Sequence, residues 1–210
     1  FCSLALLKTI TMKKVLLLCL ALASVAVHAQ KQITVDDFTL RPTFASRSVS
    51  GINWMKDGKF YSSLQNNKIV KYNVTTGEAV ETLVDGSTRS PTIQIDDYSF
   101  SVDEKQVLLS TDFEQIYRWS FRAEYYICDV ATKAVKKLST GGKQSYATFS
   151  PDGSKVGFVR GNNLFYVTLA DGKEVQVTTD GKFNEIIHGS TDWVYEEEFG
   201  FTTAFFWSPD

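Results

Sequence analysis

From residue 51 onward the chain repeats one pattern: an aromatic residue, a tight polar turn, and a run of alternating apolar and polar residues. The aromatic residue and its turn occur four times, as WMKDG (54–58), FSVDE (100–104), FSPDG (149–153) and WSPD (207–210). Asp-Gly and Pro-Asp-Gly are typical of tight turns, and apolar–polar alternation is typical of strands with one buried face. The pattern therefore predicts an all-β fold built from repeated units.

A second strand pattern follows in each unit, as IVKYNV (69–74), YYICDV (125–130) and LFYVTL (164–169). Each is followed by a short turn and a further strand, predicted over 79–84, 134–139 and 175–178. Units of 46 to 58 residues with about four short strands are typical of β-propeller blades. A β-sandwich also has many short strands, but it does not predict a repeated aromatic-Ser-Pro-Asp turn. We therefore expect three to four propeller blades over residues 51–210, preceded by a lead-in segment over 30–50.

The spacing of the repeats also locates two insertions. The aromatic residue that opens each unit precedes the start of the second strand pattern by 15 residues in units one and three but by 25 in unit two. This places about ten extra residues near 112–122. The interval from the end of the second strand pattern at 169 to the next repeated aromatic residue at 207 is longer than the same interval in the two earlier units. Because function is often attached to a repeated scaffold through insertions, both segments are candidate sites. We expect a short helical segment over 185–199.

The later insertion contains the acidic run DWVYEEEF at 192–199, in which three glutamates lie between aromatic residues that are expected to be buried. Holding neighbouring carboxylates near a partly buried surface is costly unless cations or hydrogen-bond donors compensate, whereas an exposed acidic turn would need neither. On a helix, Glu197 and Glu198 could converge on one small group, and a protonated α-amino group offers them three donors. Glu196 would point elsewhere and serve the surface or the local fold.

The earlier insertion places Arg118 among aromatic residues, in the sequence TDFEQIYRWSF at 111–121. This arginine could pair with the glutamates or bind a carbonyl oxygen. It could equally pack on Tyr117 or Trp119 through a cation–π contact. The residues alone leave these alternatives open.

The first thirty residues resemble an export signal. Met12-Lys13-Lys14 precedes an apolar stretch over 15–27 and a cleavage site after Ala29, so residues 12–29 are predicted to be a cleaved signal peptide and residues 1–11 an upstream segment outside the translated protein. The stretch is too short to span a bilayer, so no stable membrane span is expected after cleavage. We expect an exported protein that is periplasmic, at the cell surface or secreted.

Beyond residue 30, nineteen basic and twenty-four acidic residues give a net charge of −5, which makes nucleic acid a poor partner. Cys128 is the one cysteine in that part of the chain, and its one histidine, His188, is expected to be a surface group. No metal-ligand cluster or cofactor motif occurs, so neither a metal nor a cofactor is expected. No Gly-x-Ser-x-Gly nucleophile elbow occurs either, so these residues are expected to bind and not to cleave.

The run at 192–199, continuing to WSPD at 207–210, closely resembles the glutamate motif of the dipeptidyl peptidase IV family of serine peptidases. The resemblance extends through GKFNEII (181–187) and YRWS (117–120), and more loosely over residues 36–210. It implies the N-terminal part of an eight-bladed propeller that caps an α/β-hydrolase domain, with the Ser-Asp-His triad beyond Asp210. It further implies release of X-Pro or X-Ala dipeptides from peptides with a free N-terminus. It is also compatible with a homodimer of the intact protein.

By position, the resemblance assigns binding of the substrate amino group to Glu197 and Glu198 and orientation of a substrate carbonyl to Arg118. The resemblance therefore predicts a substrate-binding site, and no catalytic or metal-binding residue is expected within the chain. Two other interpretations remain. One is a non-enzymatic exported propeller that binds protein or sugar, and the other is a related peptidase that releases tripeptides.

Overall fold

The repeats fold as three successive four-stranded antiparallel sheets, each formed by strands in sequence order. The computed structural model describes residues 33–41, 43–44, 51–89 and 91–209. The predicted signal peptide, the segment upstream of it and much of the lead-in segment lie outside these residues. The described part of the lead-in contains a short helix, α1 (Asp36–Thr39). The ring of Phe38 in this helix stacks on that of Phe44.

The three sheets, which we call blades 1 to 3, agree with the predicted propeller units. The strands are β1 (Asn53–Trp54), β2 (Phe60–Gln65), β3 (Lys68–Asn73) and β4 (Ala79–Asp85) in blade 1; β5 (Asp97–Phe100), β6 (Gln106–Gln115), β7 (Phe121–Asp129) and β8 (Val135–Lys137) in blade 2; and β9 (Ser145–Phe149), β10 (Lys155–Arg160), β11 (Asn163–Thr168) and β12 (Glu174–Gln176) in blade 3. A two-stranded sheet of β13 (Gly189–Ser190) and β14 (Thr203–Ala204) follows, with the helix α2 (Trp193–Phe199) between its strands. The chain thus forms the N-terminal part of a β-propeller.

The predicted aromatic-Ser-Pro-Asp turn closes the first hairpin of blade 3 in a defined way. The Ser150 hydroxyl donates to Asp152 and accepts from the backbone N–H of Lys155, and Asp152 accepts from the N–H of Ser154. In blade 2, Ser101 donates to Asp103 in the same arrangement. Because the side chains satisfy backbone groups that a turn leaves unpaired, this motif fixes the position of each second strand.

The second hairpin of each blade shows where the first insertion lies. In blades 1 and 3 two residues with positive φ connect the strands, Asn66-Asn67 and Gly161-Asn162, as tight hairpins require. In blade 2 the corresponding strands β6 and β7 extend beyond the blade, and residues 116–120 form the connection. The ten extra residues predicted near 112–122 therefore lengthen one hairpin, whose end at residues 116–120 we call the hairpin tip.

Alternation along the strands of blade 2 divides its side chains between two cores. Leu108, Tyr125 and Ile127 pack against blade 3, whereas Val107 and Cys128 pack against blade 1. Both faces of the blade are buried because successive strand side chains point to opposite sides of a sheet. The stacking of consecutive sheets through both faces is the packing of propeller blades and differs from that of a two-layer sandwich.

Trp207, the fourth of the repeated aromatic residues, packs against blade 3. Its indole N–H donates to the carbonyl oxygen of Thr148 at 3.2 Å. A Cβ atom added to Gly157 would lie 2.9 Å from the indole ring, so the indole occupies space that only glycine leaves free. Residues after β14 are thereby held on the face of blade 3.

The second insertion differs from the prediction in the extent of its helix. We predicted helical structure over 185–199, but α2 contains only Trp193–Phe199. Lys182 and Ile186 instead form an isolated bridge around a turn, and Gly189–Ser190 pairs with Thr203–Ala204. The helix is shorter because the residues before Asp192 take part in strand pairing, which uses the same backbone groups as a helix.

Candidate functional site

The two insertions found from the sequence meet in the structure. The hairpin tip of blade 2 contacts α2, which lies between β13 and β14. Two consecutive residues of the tip, Arg118 and Trp119, face two consecutive residues of the helix, Glu197 and Glu196. This meeting point, consisting of the tip and α2, is the candidate site.

The ends of α2 are fixed by residues on either side of the acidic run. The Asp192 carboxylate accepts from the backbone N–H of Tyr195 at 3.0 Å, which caps the N-terminus of the helix. Gly200 ends the helix in the left-handed conformation, with a φ of 72°, and its N–H donates to the carbonyl oxygen of Glu196. The three glutamates therefore lie in one short, capped helix, and their side chains project in successive directions about 100° apart.

Glu196 points into the protein and binds the backbone of the hairpin tip. Its Oε1 accepts from the N–H of Trp119 at 2.5 Å and from the N–H of Ser120 at 2.9 Å, and the residue is 2 % exposed. Hydrogen bonds to a charged acceptor contribute roughly 1.5 to 3 kcal/mol each, so two of them can offset the cost of burying the carboxylate. From the sequence we expected Glu196 to point elsewhere and serve the surface or the local fold, but its partner in the hairpin tip was not identified.

The surroundings of Glu196 keep it ionised. Burial opposes the charged form and is the largest single influence, yet the hydrogen bonds from Ser120 and Trp119, helped by the charge of Arg118, outweigh it and lower the pKa of Glu196. The neighbouring Tyr146 responds in the opposite direction, because burial and the negative charge of Glu196 raise its pKa. Glu196 is therefore a buried carboxylate that hydrogen bonds from the hairpin tip keep in its charged form.

Glu197 forms the ion pair of the site. Its Oε2 lies 3.1 Å from Nη2 of Arg118, and the side chains are 17 % and 65 % exposed, respectively. Of the alternatives for Arg118, the structure therefore shows pairing with a glutamate. The aromatic residues that contact a cation among the described residues do so with Lys71 and Arg160.

Glu198 follows on the exposed side of the helix. No group in the described part of the chain forms a hydrogen bond or an ion pair with its carboxylate. The acidic run thus contains one carboxylate bound to backbone, one bound to arginine and one that faces solvent. The last two carry the capacity to bind a cationic group that approaches from outside.

The aromatic residues around the glutamates are more exposed than we expected. Trp193, Tyr195 and Phe199 are 53 %, 50 % and 61 % exposed, whereas Glu196 between them is buried. Tyr195, Phe199 and Phe201 contact one another, with ring centroids 5.5 to 6.3 Å apart. The burial of the helix is therefore centred on a carboxylate, which accepts hydrogen bonds from the N–H groups of the hairpin tip.

The remaining candidates play smaller parts. His188 lies near the surface with its Nε2 2.8 Å from the Asp180 carboxylate, as a surface histidine would. Within the described ranges no three His, Cys, Asp or Glu side chains converge as a metal site would require. No helix among the described residues is long and apolar enough to cross a membrane.

Comparisons with known proteins agree with the fold. Residues 101–210 match the family described as "Dipeptidyl peptidase IV (DPP IV) N-terminal region". The human protein named prolyl endopeptidase FAP is 31 % identical over 93 % of the chain, and a probable dipeptidyl peptidase 4 of Emericella nidulans is 34 % identical over 86 %. The crystal structure of Porphyromonas gingivalis dipeptidyl peptidase 4 is 44 % identical over 83 % of the chain, with a TM-score of 0.74.

The fold and the site define an N-terminal propeller segment with a glutamate-bearing helix. With these matches, the chain belongs to the dipeptidyl peptidase IV family, as the resemblance of its acidic run indicated. It spans about a quarter of the length of the relatives that it matches: 26 % of the human protein, 23 % of the fungal one and 26 % of the bacterial one.

Proposed function

We propose that this chain is the substrate-recognition propeller of an exported serine exopeptidase, which releases X-Pro or X-Ala dipeptides from peptides with a free N-terminus. Glu197 and Glu198 bind the α-amino group of the substrate, and Arg118 orients a backbone carbonyl. The reacting serine, aspartate and histidine belong to the full-length protein outside these 210 residues. Residues 12–29 direct export.

The observation that carries the proposal is the pairing of Arg118 with Glu197 beside Glu198, which has no partner among the residues that the structure describes. An ammonium group bound by both carboxylates would add positive charge where Arg118 neutralises only one of them. Each charge-assisted hydrogen bond contributes roughly 1.5 to 3 kcal/mol, which corresponds to about ten- to hundredfold in affinity. A blocked or internal amide cannot supply these bonds, so the site would select free N-termini.

Binding the amino group at a fixed position also sets where a peptide is cut. If the nucleophile is held at one distance from Glu197 and Glu198, the bond that reaches it is the one a fixed number of residues from the N-terminus. Positioning of this kind contributes to rate as well as to selectivity. The proposed two-residue distance gives dipeptides as products.

The experiment compares Glu197→Gln and Glu198→Gln with the wild type in the full-length protein. Gln keeps the size of the side chain but removes its charge, so kcat/KM for a Gly-Pro chromogenic substrate is expected to fall by about tenfold or more in each variant. The matched control is Glu185→Gln, because Glu185 is an exposed glutamate of the same insertion that pairs only with Lys182 in the described structure. Wild-type turnover in both site variants would contradict the proposal.

The same assay separates the alternatives. Acetylation of the substrate amino group is expected to reduce turnover as strongly as the glutamate substitutions do. Faster hydrolysis of a tripeptidyl than of a dipeptidyl chromogenic substrate would instead identify a tripeptidyl peptidase. Absence of any peptidase activity in the full-length protein would favour the non-enzymatic propeller.

A further inference from the structure

We propose that Glu196 is a positioning residue that holds the hairpin tip against α2 and thereby sets the distance between Arg118 and Glu197. The inference rests on the proposed function, since it assigns to Glu196 the task of preparing the amino-group site. Glu196 itself is buried and does not contact the substrate.

The geometry of the contact is the first argument. One oxygen, Oε1 of Glu196, accepts from the N–H groups of two consecutive residues, Trp119 and Ser120. Two donors from adjacent peptide groups define both the position and the orientation of the backbone between them. A single hydrogen bond would leave that segment free to rotate.

The second argument is adjacency in the chain. Arg118 directly precedes Trp119, and Glu197 directly follows Glu196. The backbone contact between Glu196 and Trp119 therefore lies one residue away from the ion pair on each side. A displacement of the tip at Trp119 would be transmitted directly to the guanidinium of Arg118, whose side chain is 65 % exposed and has little packing to restrain it.

The third argument is that the other described backbone hydrogen bonds of the tip are internal. The N–H groups of Ile116 and Tyr117 donate to the carbonyl oxygen of Ser120, and the carbonyl oxygen of Arg118 accepts from the Gln115 side chain. These bonds shape the tip but do not attach it to the rest of the protein. Glu196 provides that attachment for the backbone.

Three substitutions in the full-length protein separate the geometric role from others. Glu196→Gln keeps the length of the side chain and one carbonyl oxygen that can accept both N–H groups. Glu196→Asp keeps the charge but is shorter by one methylene group. Glu196→Ala removes the contact. A positioning role predicts that Gln resembles the wild type more closely than Asp does, whereas a purely electrostatic role predicts the reverse.

The first measurement is amide hydrogen exchange of Trp119 and Ser120. In Glu196→Ala and Glu196→Asp these two amides are expected to exchange about tenfold faster or more than in the wild type, while in Glu196→Gln they stay protected. The second measurement is the kinetics with a Gly-Pro chromogenic substrate. Ala and Asp are expected to raise KM by about tenfold with kcat within about threefold of the wild type, because the amino-group site is displaced and not the reacting groups.

Glu174→Ala is the matched control for a general loss of stability. Glu174 is another partly buried glutamate, but it binds Arg160 and Ser139 where blades 2 and 3 meet. Its loss is expected to lower stability and leave KM for the Gly-Pro substrate within about twofold of the wild type. An equal rise of KM in Glu174→Ala and Glu196→Ala would overturn the positioning role.

Failure of this inference differs from failure of the proposed function. If the wild type turns over acetylated and free substrates equally, the proposed function is wrong. If the wild type discriminates between them but Glu196→Ala and Glu196→Asp keep wild-type KM and wild-type exchange at Trp119 and Ser120, the inference alone is overturned. If Glu196→Ala does not fold, the comparison of Gln with Asp decides by the same two measurements.

Discussion

The guanidinium of Arg118 and the carboxylate of Glu197 form an ion pair at 3.1 Å between two different blade insertions. Their exposure is unequal, since the carboxylate side chain is 17 % exposed and the arginine side chain 65 %. Exposed ion pairs contribute little to folding, typically about 0 to 1 kcal/mol. The contribution of this pair to folding is therefore expected to be small.

Substitution of Arg118 by alanine is therefore expected to affect substrate binding more than stability. The free energy of unfolding, measured in urea, is expected to change by less than about 1 kcal/mol. If Arg118 orients the substrate carbonyl as proposed, the KM of the full-length protein for a Gly-Pro substrate is expected to rise by about tenfold, since that donor is lost and Glu197 loses its partner. The KM of Arg118→Lys should lie between those of the wild type and of Arg118→Ala, because lysine keeps the charge but not the planar guanidinium.

Lys182→Ala is the control for Arg118→Ala. It removes another exposed ion pair of the second insertion, between Lys182 and Glu185 at 2.6 Å. Stability and KM should both stay near their wild-type values. A large loss of stability in Arg118→Ala with unchanged KM would assign the pair to folding and not to binding.

The contact between Gly157 and Trp207 predicts a second result. Gly157→Ala places a methyl group 2.9 Å from the indole, and overpacking of this kind typically costs about 1 to 3 kcal/mol. The loss should appear in urea unfolding. In the background of Trp207→Leu, which leaves room for the methyl group, the same substitution should cost much less, so equal costs in the two backgrounds would show that the contact is not the cause.

The turn of blade 2 predicts a dependence of stability on pH. The hydrogen bond from Ser101, followed by that from the N–H of Lys105, lowers the pKa of Asp103 to about 2. Because the folded-state pKa lies below that of the unfolded chain, this interaction stabilises the protein fully above about pH 4 and is lost as the pH falls toward about 2. The difference in unfolding free energy between wild type and Ser101→Ala should therefore shrink over that interval.

Urea unfolding at several pH values checks this prediction, together with an NMR titration of the Asp103 carboxyl. The control is Ser99→Ala, since Ser99 is an exposed serine on the preceding strand. The free energy of unfolding of Ser99→Ala should change with pH in parallel with that of the wild type. An Asp103 pKa that stays near 2 in Ser101→Ala would contradict the assigned cause.

Cys128 provides a measure of how blades 1 and 2 pack. The residue is fully buried, and burial raises the pKa of its thiol, so little reactive thiolate forms in the folded protein. Alkylation at Cys128, followed by mass spectrometry, should be slow in buffer and fast in denaturing urea. A cysteine introduced at the exposed turn residue Thr76 should react rapidly in both, and equally rapid alkylation of Cys128 in buffer would indicate that the two blades separate.

Much of the fold could be predicted because its signals are local. The aromatic-Ser-Pro-Asp turns, the alternation along strands such as β7 and the spacing between the repeated patterns each depend on residues close in sequence. The ten-residue excess near 112–122 could be located for the same reason, since it lengthens one hairpin without altering its neighbours. The start and end of α2 were also accessible in principle, from the capping residues Asp192 and Gly200.

The role of Glu196 could not be predicted in this way. Three successive glutamates look alike in a sequence, and their difference arises only from what each one faces. The N–H groups of Trp119 and Ser120 reach Glu196 from another blade, and local sequence does not specify such a contact. The same contact reversed the expected burial, so that Trp193 and Phe199 are exposed and the carboxylate is not.

By itself, then, the sequence determined that this protein is a repeated β-structure with two insertions and an acidic helix in the second one. Short-range turn and strand preferences are sufficient for that result. Only the tertiary structure decided which glutamate binds backbone, which one pairs with Arg118 and which one faces solvent. These assignments depend on the stacking of blades, which brings the hairpin tip to the helix and fixes the direction of each side chain.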